Sequence, residues 1–474
     1  MLLRHSLLYL LGRGLPGVIG FLTLAVYTRL LPPELYGRYA LVLAAVSLAN
    51  AVLFHWLRLG LLRFLPAHRD QPGPLLATLL AGYVAMAGIT LPLGGLATLL
   101  APDAAWRALI LLAVPLLWAQ AWHDINLSLL RARLAPSRYG ILSLAKAVLA
   151  LLGGTALILL GLGAAGPLLG LAVAMLVPSL VLMRAAWRGL GRPRPAPGLT
   201  RELLAYGLPL TVTFAFNFVI NSSDRFLIAW FLGTDAAGTY AAGYDLAWIA
   251  VASLMLVVNL AGYPLVLRAF EGAGVEAARA QLRQNAVLLL AVALPATVGV
   301  VILAPNLARV VLGAPFRDDG ARLLPWIAPA ALLAGAMLYY TNLAFQLGRR
   351  TLGQLWATLG AALLNLALNV VWIPRFGLLG AAWATLLAYG LGLALGWTLG
   401  RRVFPLPLPS LEALKPLAAA LIMGLALWPC RAWTGPLALA AQIGLGLAVY
   451  TLALALLDLT FARGRLRRLL HRGV

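Results

Sequence analysis

The amino-acid sequence predicts an all-α polytopic membrane protein of about 14 transmembrane helices: two six-helix pseudo-repeat bundles followed by two more helices. Three observations carry this. The 474 residues are 62% hydrophobic and 11% charged, with a mean hydropathy of +0.93. Apolar runs recur from end to end, each long enough to cross the ~30 Å hydrocarbon core of a bilayer. Basic residues gather in alternate short breaks between the runs, and landmarks of the first half return in the second.

The elements follow in order. Span one, about 6–31, has a basic start and no small-residue cleavage site, so it reads as an uncleaved first helix. Spans at 38–66, 75–101, 104–130, 138–161 and 166–186 complete the first bundle, with Pro102-Asp103 the only break between the third and fourth. A Pro-, Gly- and Arg-rich stretch then separates the halves. Spans at 205–232, 239–267, 285–304, 321–347, 351–373 and 377–400 form the second bundle. A break from Arg401 to Glu412 sets off spans 414–430 and 435–458. The domains are therefore 1–187, a linker 188–202, 203–400, and 401–474 with a basic tail.

With the N-terminus inside, 25 of the 36 Lys and Arg fall in inside loops and termini, eight in outside loops and three within spans. By the positive-inside rule both termini are cytoplasmic. The net charge of +22 thus reflects membrane topology and anionic lipid; no nucleic-acid partner is expected. The single Cys430 excludes an intrachain disulfide and a cysteine metal site.

The repeat is legible in two places. Leu31 to Ala40 aligns with Leu232 to Ala241 at an offset of 201, sharing Gly-x-Tyr-Ala at Gly37 and Gly238. Gly163-Ala164-Ala165-Gly166 aligns with Gly377-Leu378-Leu379-Gly380 at an offset of 214. Two six-span halves have parallel topology, a known transporter plan with the site between repeats.

Ionisable groups inside spans are costly in lipid and point to function. Asn217, Asn221 and Asp224-Arg225 follow one helix face. Asp124 and Asp245 are the other buried acids. Asp245 matches Arg225 in depth and is a candidate partner, and both acids are candidates for a coupling proton or sodium. Arg13 and Lys146 lie inside spans, where the alternative is snorkelling to the cytoplasmic face. Arg29 stands near the outer end of span one. Asn50, Gln120, Asn342, Gln346, Asn365 and Asn369 are polar face residues suited to sugar, with interhelical hydrogen bonding as the alternative. Pro92, Pro115, Pro178, Pro295, Pro325 and Pro329 are kink candidates. Gly392, Gly396 and Gly400 form a packing stripe.

Gly161-Leu162-Gly163-Ala164-Ala165-Gly166 matches Gly-x-Gly-x-x-Gly but follows no strand, so it is no dinucleotide fingerprint. The five His are scattered. No metal or other cofactor is expected, and no catalytic constellation stands out. A membrane glycosyltransferase or polymerase would need a large outside loop with clustered acids or His; Pro305 to Gly320, the longest such loop, offers only Asp318-Asp319.

The stretch Asn365 to Thr385 contains Asn-x3-Asn, then Ile373-Pro374-Arg375-Phe376-Gly377 and Gly380-Ala381-Ala382-Trp383-Ala384-Thr385. It resembles the signature of Wzx-type polysaccharide-biosynthesis flippases of the multidrug/oligosaccharidyl-lipid/polysaccharide exporter superfamily. Thr28 to Ala40 and Asp224 to Tyr240 follow in the family's order. The resemblance implies two six-helix bundles around a central cavity. It implies that undecaprenyl-pyrophosphate-linked oligosaccharide crosses the cytoplasmic membrane by alternating access, for cell-surface polysaccharide. Polymerase and glycosyltransferases are then expected partners, besides membrane lipids. Alternatives are a peptidoglycan lipid-precursor flippase and a cation-coupled drug exporter. Arginine suits a pyrophosphate through its fork of donors, which makes Arg225, Arg13 and Arg29 the cation candidates.

Overall fold

Every expected span becomes helix in the computed structural model, and the breaks fall where the sequence loses apolar character. The structure describes residues 2–68, 70–187, 196–348, 350, 352–407 and 411–470; side chains are also left undescribed at 2–14, 209, 210, 213, 217 and 459–470. The helices are α1 Leu2–Leu30, α2 Pro33–Leu53, α3 His55–Phe64, α4 Gly73–Leu99, α5 Ala104–Ala132, α6 Pro136–Leu157, α7 Ala165–Met183 and α8 Pro197–Leu232. They continue as α9 Thr234–Val311, α10 Arg317–Ala336, α11 Asn342–Leu347, α12 Leu352–Phe376, α13 Leu378–Gly400, α14 Leu414–Leu427 and α15 Pro436–Leu470. Among the described residues, ten helical segments are long and apolar enough to cross a membrane, against the 14 spans expected; one of the ten, α9, covers two of those spans.

Three elements differ from one span per helix. Span 38–66 breaks at Phe54, whose φ of −115° and ψ of −12° separate α2 from α3. The spans at 239–267 and 285–304 are limbs of one 78-residue helix, α9, broken at Gly274 with φ +79° and ψ −162°. A π-turn, Met337–Thr341, interrupts the span at 321–347 between α10 and α11. The six kink prolines all lie inside helices.

By contacts the chain divides into two compact units, Met1–Ala241 and Ala242–Val474, the division falling near the start of α9. The first unit so drawn includes α8. In unit 1, α6 packs on α7 and on α1, and α5 on α7. The α6–α7 seam is close because a Cβ at Gly170 would stand 2.4 Å from the backbone nitrogen of Gly154. In unit 2, α12 packs on α13, α13 on α10, and α14 on α15. The glycine stripe of α13 carries this packing. A Cβ at Gly392 would meet the Met337 sulfur at 2.7 Å, and one at Gly396 the Thr341 hydroxyl at 2.6 Å.

The repeat is visible in backbone geometry. Gly163 has φ 51° and ψ −129°, and Gly377 has φ 61° and ψ −141°, values that only glycine adopts readily. Each turn is closed by the glycine three residues on, Gly166 to Gly163 at 3.2 Å and Gly380 to Gly377 at 3.1 Å. At the other offset, the starts of α2 and α9 touch each other reciprocally. A Cβ at Gly37 would lie 1.8 Å from the Thr234 carbonyl oxygen, and one at Gly238 2.1 Å from that of Pro33. The two contacts are exchanged by the 201-residue offset, Gly37 for Gly238 and Thr234 for Pro33, as a local two-fold relation requires.

Candidate functional site

Charge enters the apolar interior of unit 1 where α2, α3 and α5 meet. Asp124 on α5 accepts a hydrogen bond from Asn50 on α2 at 3.0 Å and a charge-assisted one from Arg58 on α3 at 3.1 Å. Both bonds reach the same oxygen, Oδ2. The break at Phe54 and the spacing of Asn50, Phe54 and Arg58 turn both donors toward α5. Arg58 and Asp124 keep 24% and 23% of their side-chain surface open. This pair is therefore neither sealed in the core nor free in water.

Polar capacity around the pair is unspent. Arg58 Nε, Asn50 Oδ1, Gln120 Oε1 and His55 Nε2 are buried with no hydrogen-bond partner in the protein. Buried polar atoms are normally satisfied, so these four leave hydrogen-bonding capacity beside the ion pair. His55 is 8% exposed, with its ring 4.1 Å from that of Phe214 on α8. Lys146 on α6 is half-buried and within electrostatic reach of Asp124. Neighbouring polar groups tie helices together, although His123 Nε2 is also unpartnered. His123 shares a 3.0 Å hydrogen bond with Ser179, joining α5 to α7, and Trp187 donates to Asn126 at 2.8 Å.

The Asp224-Arg225 step of α8 is a second polar point in unit 1. Asp224 is fully buried and accepts 2.6 Å from the hydroxyl of Tyr240 at the start of α9. Its other oxygen accepts from the Arg225 amide at 2.9 Å. Arg225 and Asn221 are half-buried on the same helix. The side chains of Asn217 and Arg13 lie outside the described residues. Arg29 is exposed at the end of α1, where it donates to the Ala25 carbonyl at 2.6 Å.

In unit 2, Asn369 donates to Asn365 at 3.0 Å and Asn365 to Thr385 at 3.5 Å, and all three are fully buried. These asparagines therefore form a ladder between α12 and α13, with no open face toward a ligand. Asp245 is half-buried on α9, across the unit division from Arg225. Gln346 is exposed, and Asn342 is buried with both amide atoms unpartnered. Arg58 is a functional candidate that the sequence does not single out, because a basic residue near the cytoplasmic end of a span is accounted for by the positive-inside rule. The available signal was the i, i+4, i+8 spacing of Asn50, Phe54 and Arg58.

Two helical units with segments long and apolar enough to cross a membrane, one of them holding a half-open ion pair, define an all-helical membrane-protein class. The profile of the family described as polysaccharide biosynthesis protein matches residues 2–270, over half of the chain. The chain belongs to that family. Among solved structures, the lipid II flippase MurJ in an inward closed conformation shares the fold with a TM-score of 0.75. The identity is 15%, over 96% of this chain and 100% of that one. An inward-facing multidrug resistance MATE family transporter matches with TM-score 0.65 and 14% identity, covering 83% and 97%. A MOP superfamily transporter from Pyrococcus furiosus matches with TM-score 0.54 and 17% identity, covering 85% and 95%. No curated protein matches the chain.

Proposed function

We infer that this protein carries a lipid-linked oligosaccharide, pyrophosphate head first, across the cytoplasmic membrane by alternating access. The single observation that carries the reading is the half-open Arg58–Asp124 pair with its orphaned neighbours. A pyrophosphate competes with Asp124 for Arg58, since both are oxyanions and the guanidinium fork accepts either. The unpartnered Arg58 Nε can then donate to a pyrophosphate oxygen, while the unpartnered amide oxygens of Asn50 and Gln120 can accept from sugar hydroxyls.

Depth supports two stations. With both termini cytoplasmic, Arg58 lies about 10 Å in from the cytoplasmic face, at ~1.5 Å per residue. Arg225 lies about as far in from the outer face by the same measure. Arg58 receives the head group from the inner leaflet, and Arg225 with Asn221 passes it outward. Asp124 and Asp245 remain the carboxylates able to couple a proton or sodium. The protein acts as a transporter and catalyses no bond change. The MurJ likeness favours a second reading, a flippase for the peptidoglycan precursor, which presents the same pyrophosphate with a different sugar.

The test is flipping of lipid-linked glycan in proteoliposomes. Arg58→Ala and Arg225→Ala should each lower the rate by about 100-fold, the order expected for removing a charged contact to phosphate. Both variants must elute as monodisperse protein. Wild-type flipping rates retained by Arg58→Ala would sink the reading. Lipid II flipped in preference to other glycans would select the second one.

A further inference from the structure

Unit 2 contains an apolar slot of about 520 Å³ that neither the ion pair nor the amide ladder uses. It lies between both limbs of α9, the π-turn and α13, lined by Met255, Leu289, Tyr340, Gly390, Ala394 and Trp397 among others. The packing explains why the space is open. One row of small residues on α13 (Gly392, Gly396, Gly400) is filled by Met337, Thr341 and Ala344. The row beside it (Gly390, Ala394, Thr398) meets no such partner: a Cβ at Gly390 would find only Leu333, 4.0 Å away. The slot makes no polar demand. Thr341 donates to Met337 at 3.0 Å, Thr398 to Ala394 at 3.0 Å, and Tyr340 to Pro407.

One end of the slot is basic. Trp397 stacks with Tyr340, ring centroids 6.2 Å apart, and the Arg401 guanidinium stands 5.7 Å from the Trp397 ring centre. Arg402 adjoins it, and Arg283 on α9 is within electrostatic reach of Tyr340. All three arginines are exposed, and among the described residues none pairs with a carboxylate. Aromatic rings with arginines mark the membrane–water boundary. From Thr398 to Gly390 the slot descends about 12 Å at ~1.5 Å per residue. That approaches the ~15 Å depth of one leaflet, half of a ~30 Å core.

We propose that this slot binds a resident anionic phospholipid, with one acyl chain between α9 and α13 and its phosphate on Arg401, Arg402 and Arg283. A slot one leaflet deep accepts an acyl chain and leaves most of a polyprenyl chain outside, so the occupant is distinct from the transported lipid. The cytoplasmic placement of Arg401 makes it a lipid of the inner leaflet; only that detail rests on the topology proposed above. The π-turn, a helix defect that recurs at functional sites, brings Tyr340 and Thr341 to the slot wall.

The test uses full-length protein in phosphatidylcholine nanodiscs doped with phosphatidylglycerol bearing a diazirine on one acyl chain. Cross-links should concentrate on the peptides holding Met255, Leu289 and Tyr340. Gly390→Leu fills the slot and should abolish those cross-links while labelling of the outer helix surfaces persists. A phosphatidylcholine probe should label the slot less by about fivefold per arginine engaged, from the ~1 kcal/mol a basic residue gains at an anionic headgroup. Arg283→Gln, Arg401→Gln and Arg402→Gln combined should bring the two probes together. Evenly spread labelling, labelling unchanged by Gly390→Leu, or no headgroup preference overturns the proposal. So does displacement of the probe by an equal amount of undecaprenyl phosphate, which would give the slot to the substrate's tail. Glycan flipping is measured separately, so failure here leaves the Arg58 reading standing.

Discussion

In unit 1, Arg58 and Asp124 meet on facing helices with about a quarter of each side chain still open. In unit 2, Asn365, Asn369 and Thr385 also meet across facing helices, and none has any open surface. Both clusters are polar groups at hydrogen-bond distance inside an apolar bundle. They differ in charge and in closure. A neutral ladder can be sealed at modest desolvation cost, here even with the Asn369 amide oxygen left unpartnered in the protein. A sealed ion pair would lose more hydration than it regains. Partial opening is thus tolerable where a polar ligand or water must arrive, and it separates a site from a rivet where sequence alone shows polar residues at i, i+4 in both.

The strongest way to break this comparison is to stop the starts of α2 and α9 from meeting within unit 1. Gly37 and Gly238 approach backbone atoms of the opposite helix start so closely that no side chain fits. Overpacking at a seam costs ~1–3 kcal/mol even where side chains can yield, and here the obstacle is backbone. Gly37→Leu should disfavour the described arrangement at least tenfold, the equivalent of ~1.4 kcal/mol. Gly238→Leu should match it, as reciprocal contacts require. The measurement is thiol labelling of Leu41→Cys in a Cys430→Ser background, with glycan flipping alongside. Labelling should rise and flipping fall in both variants. A large effect at one glycine and none at the other would refute the two-fold relation.

The next effect is smaller and sharpens the contrast between rivet and site. Asn369→Ala and Asn365→Ala should each destabilise the protein by about 1 kcal/mol, the scale of interhelical hydrogen bonds in membranes. Flipping per folded molecule should stay near wild type. Thermal unfolding in detergent reads the first quantity and proteoliposome flipping the second. Flipping lost without lower stability would return the asparagines to the substrate path.

Much of this was legible beforehand because lipid allows only a few solutions. Apolar runs had to be helices, so span positions followed from the breaks. The Gly163 and Gly377 turns could be matched because their backbone angles demand glycine, which leaves a mark in sequence. The Gly392 row read correctly as packing because small residues at i, i+4 let helices approach. Other features left no such mark. Asn365 and Asn369 share a face, but periodicity cannot say that α13 covers it. Arg58 stands near a span end, where a basic residue usually answers to topology. Only the helix break at Phe54 and the arrival of Asp124 from α5 reveal it as an interior group. Asp224-Arg225 was conspicuous in sequence, yet its partner Tyr240 comes from across a turn and from the next helix.

That partner gives the smallest effect. Tyr240→Phe keeps the buried ring and removes only the hydroxyl that donates to Asp224 at 2.6 Å. Hydrogen bonds to charged groups contribute ~1.5–3 kcal/mol in general, but Asp224 retains the Arg225 amide at 2.9 Å. The loss should therefore sit near the lower end of that range. If Asp224 serves to fix the α8–α9 turn, Tyr240→Phe lowers thermal stability and leaves the substrate concentration for half-maximal flipping unchanged. If Asp224 instead orients Arg225 toward the head group, the same change raises that concentration severalfold while stability moves little. The two quantities, measured on one variant, decide whether unit 1 holds one open polar site at Arg58 or a second at Arg225.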